Sequence, residues 1–283
     1  MRDIQMIATD IDGTLLPAGY ARIPERVLCA LRRALEAGIY VVPASGRMCS
    51  VIPEELMELP GVRYAISCNG AAVTDRKTGE CIYSKRIPED QAAELLRRLQ
   101  KYDVYTCAYL PDGAYNWNRL HPGLAVHYSN RLPFFRQNPC EDLAAFVEEH
   151  GMPVEKIFVA VFSPEERDRV RREMGTLPGI HITSSSPRNL EINHIEADKG
   201  RALSWLSRHL GISAEHILAL GDNENDYTML TFAGTAVAPA NATDVIRGIA
   251  TEIVPDCARC GAAVCLERLL GEKIIPCHRQ RFG

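Results

Sequence analysis

Two carboxylates one residue apart, Asp10 and Asp12, close an apolar run that reads Ile7-Ala8-Thr9-Asp10-Ile11-Asp12-Gly13-Thr14-Leu15-Leu16. A short apolar run bounded by glycine has the pattern of a buried strand, and alternation along it sends both acids to one side while Ile11 turns to the core. The carboxyl end of a strand in an open α/β sheet is where ligands bind. Carboxylates this close repel each other, and a divalent cation relieves that repulsion. Taken alone, Asp-x-Asp-Gly is equally a turn that caps the next segment.

A second acidic stretch, Gly221-Asp222-Asn223-Glu224-Asn225-Asp226, follows the strand-like run Ile217 to Leu220 and precedes a helical pattern. Helix N-terminal N–H groups at such a junction favour bound phosphate, although Asp222 or Asn223 can also serve as plain caps. Ser45 and Gly46 end another strand candidate, and Lys199 opens a helix. Asp10, Asp12, Ser45, Lys199, Asp222, Asn225 and Asp226 therefore come from separated segments that one sheet edge can gather. Those types suit phosphoryl transfer, which needs a nucleophile, charge screening, donors for the equatorial oxygens and an acid for the leaving group.

The elements that must position these residues alternate. Strands are expected at Ile39 to Pro43 and Tyr64 to Ser67, with a helix over Pro24 to Ala37 and another beginning at Asp198. This rhythm predicts an α/β core, a doubly wound, mostly parallel Rossmann-like sheet. Between its two halves the pattern changes. A hairpin from Ala72 to Tyr83 leads to helices over Pro88 to Lys101, Cys140 to His150 and Pro164 to Met174. Strands are expected at Val104 to Leu110, Ala114 to Trp117, Lys156 to Phe162, Ile180 to Ser184 and Asn189 to Asn193. The stretch Leu120 to Asn138 has no clear period. The expected organisation is a core of residues 1–84 and 190–283 with an inserted α+β domain over 85–189.

The chain has 283 residues, 24% of them charged, and a formal net charge of −4. That balance argues against nucleic acid or an anionic membrane as the main partner and leaves a small molecule. The first strand begins within a few residues of Met1 and no apolar run reaches the ~20 residues of a membrane span, so the expected location is the cytosol. The ten cysteines are scattered rather than dense. Cys257 and Cys260, with Cys265, Cys277 and His278, offer zinc ligands or a redox pair, with ordinary core thiols as the third reading.

The order and placement of Asp10-Ile11-Asp12-Gly13-Thr14, Ala44-Ser45-Gly46-Arg47, Ser67-Cys68-Asn69-Gly70-Ala71, Asp198-Lys199-Gly200 and Gly221 to Asp226 resemble the haloacid dehalogenase superfamily. The resemblance is to its Cof-type sugar-phosphatase-like branch, which carries a large C2-type (C2B-like) cap. It covers nearly the whole chain, and Gly234 to Ala242 and Gly261 extend it. It implies that Asp10 attacks phosphorus to form an aspartyl-phosphate and that Asp12 serves as acid and base. Mg²⁺ is implied as cofactor, held by Asp10, the Asp12 carbonyl and Asp222, with Asp226 orienting its waters. Ser45, Gly46, Lys199 and Asn225 are implied as the phosphate cradle. Arg47, Asn69 and His194 are candidate substrate contacts, and the cap would set specificity through residues such as Tyr115, Trp117, His121, His127, Tyr128, Arg131, Arg188 and Asn193. The implied function is a Mg²⁺-dependent phosphomonoester hydrolase acting on a small phosphorylated metabolite. The alternatives are a phosphotransferase or mutase using the same intermediate, and a non-catalytic binding regulator.

Overall fold

The computed structural model describes residues 3–117, 122–127 and 138–271, without the side chains of 125–127. His121, Tyr128, Arg131, Cys277, His278 and the rest of the basic tail lie outside the described residues, as does the side chain of His127. Contacts divide the chain into two units, residues 1–83 with 198–283 and residues 84–197.

In chain order the strands are β1 (Met6–Thr9), β2 (Tyr40–Pro43), β3 (Tyr64–Ser67), β4 (Ala72–Asp75), β5 (Glu80–Ser84), β6 (Tyr105–Leu110) and β7 (Gly113–Trp117). They continue with β8 (Pro139–Cys140), β9 (Lys156–Ala160), β10 (Ile180–Thr183), β11 (Asn189–His194), β12 (Ile217–Leu220), β13 (Thr235–Pro239) and β14 (Glu252–Val254). In the first unit five of them form a parallel sheet in the order β14-β13-β12-β1-β2. The switch in strand direction of winding falls at β1 and β12, where an open α/β sheet binds ligands.

Both faces of this sheet are covered, which explains why its strands read as continuous apolar runs. Ile7 packs on one side with Leu28 and Leu31 of the helix Glu25–Glu36 and Leu266 of the helix Gly261–Leu269. Met6 and Ala8 pack on the other with Leu203 and Leu206 of the helix Lys199–Leu210. Arg26 clamps Glu267 through two bonds of 2.8 and 2.6 Å, tying two helices of one face together. The expected third strand is present: β3 lies beside the end of β2, joined to it by the parallel Ala44–Ile66 bridge, and pairs antiparallel with β4 on its other edge. The β3-β4-β5 sheet carries the chain to Tyr83, the last residue before the second unit.

The second unit is a six-stranded sheet in the order β10-β11-β9-β6-β7-β8, antiparallel except between β7 and β8. Helices Glu89–Leu99, Leu143–His150 and Pro164–Met174 bury one of its faces through Ala108, Ile157, Val159, Leu190 and Ile192. Two expectations shift here. The helix expected from Cys140 starts at Leu143, because Asp142 caps it by accepting from the Ala144 and Ala145 N–H groups. The return to the first unit, expected at residue 190, falls at Asp198, because β11 is hydrogen-bonded between β10 and β9. Among the described residues no helix is long and apolar enough to cross a membrane.

Candidate active site

Asp10 is the first residue past β1, and its N–H donates to the Leu220 carbonyl at 2.9 Å, the last rung between β1 and β12. This rung sets the Asp10 carboxylate beside the loop that begins at Gly221. Lys199 is the first residue of its helix, whose N-terminus is capped by Asp198 accepting from the Arg201 N–H at 2.8 Å. The Lys199 ammonium is fully buried and donates to Asp10 Oδ1 at 2.7 Å and to Asp226 Oδ1 at 2.6 Å. Asp226 is itself held from behind, its Oδ2 accepting from the N–H groups of Asp222 at 2.9 Å and Asn223 at 3.0 Å.

Asp222 completes a trio. One oxygen from each of Asp10, Asp222 and Asp226 lies within 4.8 Å of the others. Thr14 donates its hydroxyl to Asp222 Oδ1 at 3.1 Å. Gly13, at φ +92°, lies so close that a Cβ there would stand 2.3 Å from Asp222 Oδ2. Only glycine lets the turn after Asp12 approach the second acidic loop this closely.

Asp12 has a partner of its own. Its carboxylate is gripped by the Arg47 guanidinium, with Nε to Oδ2 at 2.8 Å and Nη2 to Oδ1 at 2.7 Å. This two-pronged bond fixes direction as well as charge. Ser45 is buried, and its hydroxyl oxygen accepts from the Arg47 N–H at 3.2 Å. Asn225 donates through Nδ2 to Asn69 Oδ1 at 3.1 Å. His194 belongs to the second unit, where its Nδ1 accepts from the Glu196 N–H at 3.2 Å. Arg188 and Asn193 lie on the second unit's sheet or its β10–β11 loop, and Asn193 is spent on the Glu155 carbonyl at 2.9 Å.

Sequence reasoning gave Thr14 no role of its own, since a threonine after Asp-Gly carries no distinctive spacing. Asn241, inside the Gly234 to Ala242 segment, spans two loops, donating to the Gly13 carbonyl and accepting from the Cys257 N–H, both at 2.8 Å. Cys257, Cys260 and Cys265 are buried and in no disulfide, and among the described residues the acidic trio is the one group placed to hold a metal ion. Burial raises the Cys257 and Cys265 thiols, the latter to about 12, which makes them poor nucleophiles at neutral pH.

Charge in the trio is unbalanced, with one buried ammonium among three carboxylates. Burial, then the neighbouring Asp226 and Asp12 charges, lift Asp10 to about 7 against the pull of Lys199. Burial and the charges of Asp10 and Asp226 lift Asp222 to about 9. Burial also works against the Lys199 charge, but Asp10 and Asp226 overcome it and hold its pKa above the ordinary value. A hard divalent cation fits this set: the donors are all carboxylate oxygens, and three carboxylates share a single ammonium.

That imbalance sets a stability trend. An unfolded aspartate titrates near its ordinary 3.8, whereas Asp222 in the fold titrates near 9, so between those values the folded chain holds more protons than the unfolded one. Stability is then greatest at the acid end and falls as pH rises toward about 9. The melting temperature of chelator-treated protein is expected to drop between about pH 5.5 and pH 8.5, and added Mg²⁺ to raise it more at the higher pH, where fewer protons compete. Asp222→Asn should flatten the slope; an equally steep slope in that variant would remove Asp222 as its source.

Residues 7–266 match the family model described as haloacid dehalogenase-like hydrolase. Among curated relatives, the chain is 27% identical to the pyridoxal phosphate phosphatase of Escherichia coli over 89% of this chain and 93% of that protein. It is also 27% identical to the 5-amino-6-(5-phospho-D-ribitylamino)uracil phosphatase of Bacillus subtilis, over 89% of this chain and 90% of that protein. Among solved structures, a haloacid dehalogenase-like hydrolase from Bacteroides thetaiotaomicron superposes with a TM-score of 0.79 at 26% identity, covering 94% and 99% of the two chains. Two strand ends that bring three aspartates around one buried lysine, in a chain matched almost from end to end, place this protein among the Cof-type haloacid dehalogenase-like hydrolases.

Proposed function

We propose that the chain is a Mg²⁺-dependent phosphomonoester hydrolase acting on a small phosphorylated metabolite. The observation that carries this reading is the buried Lys199 bridging Asp10 and Asp226, with Asp222 completing the cluster at the carboxyl ends of β1 and β12. Relatives named as phosphatases of pyridoxal phosphate and of 5-amino-6-(5-phospho-D-ribitylamino)uracil, both small phosphorylated molecules, support the substrate class.

In this reading an Asp10 carboxylate oxygen attacks phosphorus and forms an aspartyl-phosphate as the bond to the leaving oxygen breaks. Asp12 gives that oxygen its proton, then takes one from the attacking water, whose oxygen displaces Asp10 and frees inorganic phosphate. Arg47 fixes the direction of the Asp12 carboxyl. Lys199 holds Asp10 in place and offsets phosphoryl charge, while Ser45, Asn225 and the backbone at Gly46 contribute donors to the equatorial oxygens. Asp10, Asp222 and the Asp12 carbonyl would hold the Mg²⁺, with Asp226 fixing the loop of Asp222 from behind. Bound there, the cation would keep Asp10 and Asp222 ionised at neutral pH and screen the phosphate charges.

The test is phosphate release from pyridoxal phosphate, sugar phosphates, nucleotides and an aryl phosphate, with Mg²⁺ or with EDTA. Turnover is expected with Mg²⁺ and a fall of at least about 10²-fold with EDTA. Equal turnover in EDTA would overturn the metal dependence, and release only when a sugar acceptor is supplied would favour a phosphotransferase.

A further inference from the structure

The turn Cys68-Asn69-Gly70 has no part in the chemistry above, yet it touches three of the segments that carry the candidate residues. The Cys68 N–H donates to the Arg47 carbonyl at 2.8 Å and the Asn69 N–H to the Ser45 carbonyl at 3.0 Å, stitching it to the Ser45 loop. Gly70 lies against the start of the Lys199 helix, where a Cβ would stand 2.2 Å from the Asp198 carbonyl oxygen and 2.9 Å from the Lys199 nitrogen. The Asn69 side chain reaches the third segment, accepting from Asn225 Nδ2 at 3.1 Å.

The backbone is bent to make this possible. Cys68 and Asn69 both take left-handed conformations, at φ 49° and 59°, a region that asparagine tolerates better than most non-glycine residues. Asn69 is also 2% exposed, so its amide meets protein rather than bulk water. A carboxamide has one accepting and one donating side, and rotation by half a turn exchanges them. An acceptor fixed at Asn69 Oδ1 therefore decides which side of the Asn225 amide carries its N–H groups. Turned over, Asn225 would present an oxygen to an anion.

We infer that Asn69 is a positioning residue, which orients the Asn225 amide so that Asn225 donates to phosphate, and that the 68–70 turn holds the Ser45, Lys199 and Asn225 segments in register. The inference rests on the reading of Asn225 as a phosphate donor. It replaces direct substrate contact as the role of Asn69.

Asn69→Gly keeps the left-handed backbone and removes the amide. With an aryl phosphate and Mg²⁺, kcat of Asn69→Gly is expected to fall about tenfold, the scale of one lost hydrogen bond. Adding Asn69→Gly to Asn225→Ala should change kcat by less than about twofold, because the two act as one unit. Losses that multiply would overturn the inference. The side-chain amide ¹H–¹⁵N pair of Asn225 should move in Asn69→Gly and return in Asn69→Asp, which keeps an acceptor on a backbone it tolerates. A pair that stays in place in Asn69→Gly would also overturn it. If the wild type released no phosphate while that pair moved, the phosphatase reading would fail and the orienting contact would stand.

Discussion

Asp10→Asn is expected to lower the rate of phosphate release by at least about 10³-fold while leaving the fold intact. The amide oxygen can still accept from Lys199, so the 2.7 Å contact that anchors the end of β1 has a replacement. What disappears is the anionic oxygen, and an amide is too weak a nucleophile to displace an alkoxide from phosphorus. The same substitution removes one charge from a trio whose members repel, since Asp10 contributes to the rise of Asp222 to about 9. The metal-free variant should therefore melt no lower than the wild type, and its response to Mg²⁺ should weaken. Activity falls while stability does not, which separates loss of the nucleophile from unfolding. A folded Asp10→Asn protein that kept more than about a tenth of wild-type turnover would end the assignment of Asp10 as nucleophile.

The part of the site that was legible in the sequence is the part fixed by strand ends. Asp10 and Asp222 each follow a short apolar run, and parallel neighbours β1 and β12 bring such runs to one edge. Lys199 was legible as the first residue of an amphipathic helix, but its burial was not, because a lysine at a helix start is ordinarily solvated. Gly70 and Gly200 let the start of that helix pack tightly against neighbouring backbone, and the ammonium itself is met by Asp10 and Asp226. The side-chain partners were less accessible still. Asp12 and Asp10 look equivalent in sequence, yet one is bound by Arg47 and the other by Lys199, partners 35 and 189 positions away that no local pattern announces. The boundary at Asp198 was misread because β11 alternates in the same way whichever sheet it joins. Asn-Gly at residues 69 and 70 reads as turn chemistry, and the contact with Asn225, 156 positions away, has no local signal.

Lys199→Met is expected to cost both activity and fold stability, and the reason lies in what is left behind. Breaking a buried ion pair by removing one partner leaves an uncompensated charge, typically at a cost of about 3–5 kcal/mol, even though an intact buried pair adds little net stability. Here the ammonium serves Asp10 and Asp226 together, and Asp222 stands in the same cluster. Methionine fills most of the volume, so the loss is electrostatic rather than a cavity. Without Lys199 the opposing pull on Asp10 is gone, and its carboxyl should rise above the present value of about 7. Protonation can then relieve the cluster, so the destabilisation should be large near pH 8 and smaller near about pH 5.5. Urea unfolding at both pH values measures this, with the wild type alongside. Arginine is a poor substitute, because a planar guanidinium needs more room than the fully buried site provides. Lys199→Met with wild-type stability near pH 8 would mean that the three carboxylates do not depend on the ammonium. Their grouping would then have to be held by the backbone bonds at Asp10, Asp222 and Asn223 alone.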